Sequence, residues 1–116
     1  MIRKVGSYDI ELREQMKGGP GTVTMEHFFH QDEFGGEHVR VCARMIVPPG
    51  AGVGLHPHNG EDEIYIVLRG TGIVVDDGVT QEIGPGDAVL TGNGTSHAVT
   101  CKGDQNLEIL AIVVTY

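Results

Sequence analysis

Three histidines and a glutamate are spaced so that a β-fold can bring them to one point. His56 and His58 are two residues apart, and on an extended strand such residues project from the same face. Gly60 follows in a turn, and Glu63 opens the next extended run, so its carboxylate can face back toward both imidazoles. Pro85-Gly86-Asp87 then reads as a turn that starts a strand, and Gly92-Asn93-Gly94 as a second turn that delivers His97. Imidazole nitrogens with one carboxylate oxygen form a donor set of intermediate softness, open to Mn, Fe, Co, Ni, Cu or Zn. One divalent transition metal held by His56, His58, Glu63 and His97 is therefore the expected cofactor. Such a set leaves two octahedral positions for water, substrate or dioxygen, as a catalytic site requires and a structural site avoids. A dication with one carboxylate is a net positive centre, so the expected ligand is a small anionic or oxygen-rich molecule: an enolate, a carboxylate or a catechol-like diol. Glu61 and Asp62 compete with Glu63 for the carboxylate role, but Asp62 has the opposite parity and Glu61 is expected in the turn. Histidine ligands bind metal only when neutral, so affinity should fall as pH drops through ~6.5.

Elements that can hold these residues follow from the texture of the chain. From Thr22 onward, short β-branched and aromatic runs alternate with Gly, Pro, Asn and Asp, the pattern of successive strands. Strands are expected at Val23–His30, His38–Val47, Val53–His58, Glu63–Leu68, Gly72–Val75, Thr80–Ile83, Ala88–Thr91, His97–Cys101 and Leu107–Thr115. Asp76-Asp77-Gly78 is a hairpin turn, because Asp-Gly accepts the positive φ such turns need. No long segment carries a helical period, so the chain is all-β. Residues 1–35 are expected to form an irregular arm and first strand, with a short helical turn at Ile10–Met16, packed on a barrel of residues 36–116 in one domain. Ile64–Leu68 and Leu110–Val114 are apolar on both alternating faces. One face belongs to the barrel interior; the other needs the arm or, as is commoner, a second subunit in a homodimer.

The segment from Gly50 to Gly70 has the form G-x5-H-x-H-x4-E-x6-G, with matches at Gly50, His56, His58, Glu63 and Gly70. It resembles the first motif of the cupin superfamily, and the short spacing to the second motif resembles small stand-alone bacterial monocupins. The second motif, G-x5-P-x-G-x2-H-x3-N, is matched at Gly86, Gly94 and His97, with Gly92 in place of the proline and Cys101 in place of the asparagine. Neither departure touches a ligand. The resemblance implies a double-stranded β-helix, or jelly roll, around the metal. It also implies a metal-dependent small-molecule enzyme of dioxygenase or related oxidoreductase type, with substrate bound at the metal and Glu63 doubling as proton acceptor. Two further readings stand beside it: sugar or keto-acid isomerase or lyase chemistry, and a non-catalytic small-molecule binding or sensing module.

Around the site, alternation puts Tyr65, Val67 and Arg69 on the face of Glu63, so Tyr65 is either a hydrogen-bond donor to a bound oxygen or a packed aromatic. Cys101 shares the face of His97 and is expected to be core filler. Arg40, Cys42 and Arg44 share a face, either gathering an anion at the barrel mouth or pairing with surface carboxylates. His27, His30 and His38 are expected to be surface residues. A net charge of −8 repels phosphate backbones, which argues against nucleic acid. No apolar run approaches the ~20 residues that span a bilayer, no apolar signal region follows Met1, and two cysteines make no disulfide framework, so a cytoplasmic protein is expected.

Overall fold

The computed structural model describes residues 1–116. The β-rich texture folds into ten strands: β1 (Asp9–Glu14), β2 (Thr22–His27), β3 (Val39–Val47), β4 (Gly52–Pro57), β5 (Glu61–Arg69), β6 (Thr71–Asp76), β7 (Val79–Ile83), β8 (Ala88–Gly92), β9 (Ser96–Lys102) and β10 (Leu107–Thr115). They form two antiparallel sheets, a six-stranded one in the order β1-β2-β3-β10-β5-β8 and a four-stranded one in the order β4-β9-β6-β7. The two sheets face each other as a jelly roll, so each strand turns one alternating set inward. Val41, Ala43 and Met45 of β3, Glu63, Tyr65 and Val67 of β5, and Ile109, Ala111 and Val113 of β10 make the inner layer of the larger sheet, all buried.

Strand limits differ from the sequence expectation by a few residues, and one element differs in kind. Ile10–Glu14 is strand, not helix; only Met16–Gly18 forms a single 3-10 turn. A seven-residue helix is too short to offset its nucleation cost, whereas β1 gains a full antiparallel ladder on β2, from Asp9 opposite His27 to Glu14 opposite Thr22. Gln15 and Lys17 take left-handed φ values of 48° and 53° to close this hairpin, and Met16–Gly18 folds down onto β4.

Strand β4 contains the irregularity that matters most for the site. Val53 is buried and Leu55 is 64% exposed, although strict alternation would put both on one face. The β4–β9 register shifts between Val53 and His56, and this bulge reverses the parity so that His56 turns inward opposite His97.

Outward positions of β5 and β10 carry Ile64, Ile66, Leu110 and Ile112, paired across the strands as Ile64 with Ile112 and Ile66 with Leu110. All four are part-buried. The chain before β1 packs beside this face: Arg3 donates to the Phe28 carbonyl and to Glu33, Tyr8 packs edge-on against Phe28 at 4.9 Å, and Arg44, opposite Leu110, lies over the Tyr8 ring at 6.0 Å.

Candidate metal centre

Each member of the cluster arrives on a different local device. The bulge in β4 turns His56 inward. His58 follows β4 directly and is locked by a pair of backbone bonds, its amide donating to the Thr95 carbonyl and its carbonyl accepting from Gly94. Glu63 sits on β5 opposite Val113, and His97 on β9 opposite both His56 and Asp76. Gly94, at φ 82°, makes the turn that allows the His58–Gly94 bond.

The four donors converge. His58 Nε2 lies 3.2 Å from His56 Nε2 and 3.0 Å from His97 Nε2, and His97 Nε2 lies 3.2 Å from His56 Nε2. Glu63 Oε1 is 3.0 Å from both His58 Nε2 and His97 Nε2. With metal–ligand bonds of about 2.1 Å, ligands at right angles stand about 3.0 Å apart and ligands at the tetrahedral angle about 3.4 Å. The observed separations match the edges of an octahedron better than those of a tetrahedron. Three nitrogens aimed at one another cannot all be satisfied by shared protons, so the donor set fits a cation at its centre. His56, His58, Glu63 and His97 thus form a group able to hold a metal ion.

The outer ring nitrogens show how the imidazoles are held. His56 Nδ1 donates to the Gly54 carbonyl at 2.6 Å, and His58 Nδ1 to Glu61 Oε1 at 2.8 Å. Such outer bonds fix the tautomer that leaves Nε2 free to ligate. His97 Nδ1 is buried without a protein partner, and its ring is held instead by stacking on Tyr65, centroids 4.8 Å apart at 22°. Glu61 is in turn gripped by Arg40, with Nε to Oε2 at 2.9 Å and Nη2 to Oε1 at 2.8 Å.

Electrostatics follow these contacts. Burial would raise the Glu63 carboxyl, but hydrogen bonds from His58 and His97 outweigh it and hold it at about 2. The Glu63 hydrogen bond raises His58, while burial lowers His56. Arg40, then His58, lowers Glu61 despite its burial. Burial, with the Glu63 charge beside it, lifts the Tyr65 phenol well above its ordinary value, so it stays protonated as a donor. Its hydroxyl is 3.5 Å from His97 Nε2.

A cavity of about 90 Å³ opens over the cluster, lined by His56, His58, Glu63 and Tyr65 with Val41, Met25, Met45 and Val113 as its apolar wall. Its rim brings together Arg13, Met16, Lys17, Arg40, Pro57 and Glu61. Arg69, Cys101 and Arg44 are absent from it. Arg69 is 77% exposed at the end of β5, the Cys101 thiol donates to the Gln105 carbonyl, and Arg44 lies near Glu26 and Glu108. His27 and His30 pair with Glu11 and Asp9, and His38 is exposed. Sequence reasoning missed Glu61 as the partner of His58, although a carboxylate three residues beyond a ligating histidine was a readable signal. It also missed Arg13, Met16 and Lys17, which a strand–turn assignment for residues 9–18 would have brought to the rim.

Comparison with known proteins finds relatives that share this jelly-roll fold. The family model described as a cupin domain matches residues 43–113. The chain is 41% identical over 114 residues to an oxalate-binding protein of Thermotoga maritima, covering 98% of this chain and 93% of that one. The crystal structure of a predicted oxalate decarboxylase from Thermotoga maritima superposes with a TM-score of 0.94 at 37% identity over 100% of both chains. The polyketide cyclase RemF of Streptomyces resistomycificus shares the fold at a TM-score of 0.75 and 23% identity, over 99% of this chain and 80% of that one. The family match over residues 43–113, with the 41% identity over nearly the whole chain, shows that the chain belongs to the cupin family.

Proposed function

We propose that this cupin holds one divalent transition metal on His56, His58, Glu63 and His97 and there binds a small carboxylate of the oxalate class. The observation that carries the reading is the convergence of three Nε2 atoms and Glu63 Oε1 at 3.0–3.2 Å beneath a cavity of only about 90 Å³. Pockets for drug-sized ligands run to about 300–1,000 Å³, so a sugar or an aromatic diol is a poor fit and a ligand of a few heavy atoms a good one. The similarity to an oxalate-binding protein supports the same class. A bound dication would supply Lewis acidity and a coordination sphere for the anion. The chain's own residues do the rest. Gly54 and Glu61 aim His56 and His58, Arg40 balances Glu61, Met25, Met45 and Val113 exclude bulk water, and Tyr65 presents a protonated hydroxyl.

A second reading adds turnover of the bound anion by metal-dependent oxidoreductase chemistry, and Tyr65 favours it. A buried phenol 3.5 Å from a ligand nitrogen can hand a proton to a bound oxygen. In both readings the protein works in the cytoplasm as a homodimer, joined through the outward apolar face of β5 and β10.

The test is elemental analysis of untagged protein, followed by calorimetric titration with oxalate. About one equivalent of metal, lost in a His58→Ala/His97→Ala double variant, with oxalate binding only to the loaded protein, is the expected result. Wild-type protein that refuses added metal, or binds oxalate equally without it, overturns the reading. Oxygen uptake or carbon dioxide release that Tyr65→Phe abolishes selects the second reading; silence in both assays selects binding alone.

A further inference from the structure

We infer that Arg13, carried by the β1–β2 hairpin, is the specificity-determining cation of the site and takes the two outward carboxylate oxygens, one from each carboxylate, of a short dicarboxylate chelated at the metal ligands. The inference rests on the proposed binding of an oxalate-class anion and adds a residue outside the 43–113 segment that the family model matches.

Strand β1 is patterned against burial. In its ladder on β2, Arg13 stands opposite Val23 and Glu11 opposite Met25. Directly opposed residues share a face, and Val23 and Met25 are fully buried. Arg13 and Glu11 therefore turn toward the barrel, while Ile10 and Leu12 are each 66% exposed. A strand selected for core packing would show the reverse, since one step of register exchanges the two sets. Of that set Arg13 reaches the cavity, whose rim it lines together with Lys17.

Of the cations at the rim, Arg13 and Lys17 have donors to give. Arg40 is engaged in a two-point bond with Glu61. Arg13 makes one bond, Nη2 to Glu11 Oε1 at 3.1 Å, leaving Nε and Nη1 without protein partners. Glu11 also meets His27 Nε2 at 2.9 Å, which ties the carboxylate to the β2 side of the guanidinium. A planar guanidinium with open N–H groups matches a pair of carboxylate oxygens at two points, which an ammonium cannot do. Lys17, on the left-handed turn that follows, makes no ion pair and adds a second positive charge at the entrance. A dianion held by a dication that already carries Glu63 leaves a net negative ligand, and Arg13 offsets it.

Calorimetric titration of the metal-loaded full chain with oxalate and with glycolate tests this. Both ligands chelate a metal through a five-membered ring, but glycolate lacks the second carboxylate. Wild type should bind oxalate at least tenfold more tightly than glycolate. Arg13→Gln should lose at least tenfold for oxalate and less than twofold for glycolate, with metal content unchanged, and Arg13→Lys should recover part of the loss. Glu11→Gln, which frees the guanidinium, should keep or raise oxalate affinity and gives an independent answer where Arg13→Gln fails to fold. Oxalate affinity within twofold of wild type in Arg13→Gln overturns the inference while leaving the proposed function intact. Equal loss of both ligands also overturns it, by making Arg13 merely structural. Loaded wild type that binds neither ligand overturns the proposed function and this inference with it.

Discussion

His56 is aimed by Gly54: its Nδ1 donates to the Gly54 carbonyl at 2.6 Å, and Gly54 is itself pinned beneath the turn that follows β1. A Cβ at Gly54 would meet the Lys17 carbonyl, with the Lys17 carbonyl carbon 2.8 Å and the Gly19 amide nitrogen 2.9 Å away. Both neighbours are backbone, so neither can swing aside. Gly54→Ala should therefore destabilise the fold by about 1–3 kcal/mol through overpacking. It should also weaken metal binding by about 10–100-fold, as for other disturbed outer-shell partners. Urea unfolding and chelator competition read the two effects separately. Wild-type metal affinity in a destabilised variant would show that the residue-54 carbonyl keeps its place under the His56 ring despite the strain.

Glu61 links the cluster to the rim, accepting from His58 Nδ1 and from Arg40. Glu61→Ala removes the acceptor and leaves a buried N–H without a partner at a cost of about 1–3 kcal/mol. Metal affinity should fall by about 10–100-fold. Glu61→Gln keeps an acceptor oxygen for His58 and should fall less. Chelator competition on both variants distinguishes the outcomes; equal affinities in all three proteins would remove Glu61 from the site.

The ligand set was legible because it depends on short-range parity and turn chemistry. Gly60 and Gly94 both adopt the positive φ expected of turns, and Glu63 and Tyr65 alternate inward as a regular strand requires. Gly92, in place of the motif proline, lies against Asp62: a Cβ there would stand 3.1 Å from the Asp62 Cα and would make the Asp62 carboxylate turn aside. What the sequence hid was long-range. Ile10–Arg13 alternates apolar and charged residues, but four residues are too short a run to decide against a helical turn, and the deciding bonds come from β2, which begins only at Thr22. The bulge between Val53 and His56 was equally silent, since the close approach of the Lys17–Gly19 backbone to Gly54 beside it comes from a segment distant in sequence.

The segment before β1 is tied down by charge, and this gives a pH dependence with a definite sign. The Arg3 guanidinium, followed by the His30 backbone N–H, holds the Glu33 carboxyl at about 2, against an unperturbed 4.5. Because the folded value is depressed, the unfolded chain binds the proton more readily, and stability from this pair is present above 4.5 and lost as pH falls toward 2. Arg3→Ala should therefore lower the urea midpoint near neutral pH, and the gap from wild type should close on acidification. High salt should shrink it as well. A gap that stays constant down to low pH would assign the effect of Arg3 to packing on Phe29, over whose ring its guanidinium lies at 5.4 Å.

Metal should stabilise the fold by linkage, because the unfolded chain has no preformed cluster. At a free concentration about 100 times the dissociation constant, the gain is ~2.7 kcal/mol. With an unfolding entropy of ~2.1 cal/mol/K per residue, a chain of 116 residues should rise in Tm by about 10 °C. Differential scanning calorimetry with and without a chelator measures this. The His58→Ala/His97→Ala variant should show no metal-dependent shift; a shift that persists would place the stabilising ion elsewhere.

The outward face of β5 and β10 should join two copies. Ile64 stands opposite Ile112 and Ile66 opposite Leu110, and β8 extends the patch with Leu90, which is opposite Ile64 and 65% exposed. Apolar positions on both faces of central strands leave this side incompletely covered by the chain itself. A two-fold axis through the patch would pair it with its own image, the commonest way for identical chains to associate. Ile66→Lys and Ile112→Glu each place a charge in the patch and point away from Glu63 and Tyr65, whose side chains take the opposite face of the sheet. Sedimentation velocity at micromolar concentration should give a dimer for wild type and a monomer for either variant, with metal content unchanged in both. A monomeric wild type would leave the patch as surface. A dimer that survives both substitutions would put the interface on another face, with the edge of β1 the next to test because its Ile10 and Leu12 are also exposed.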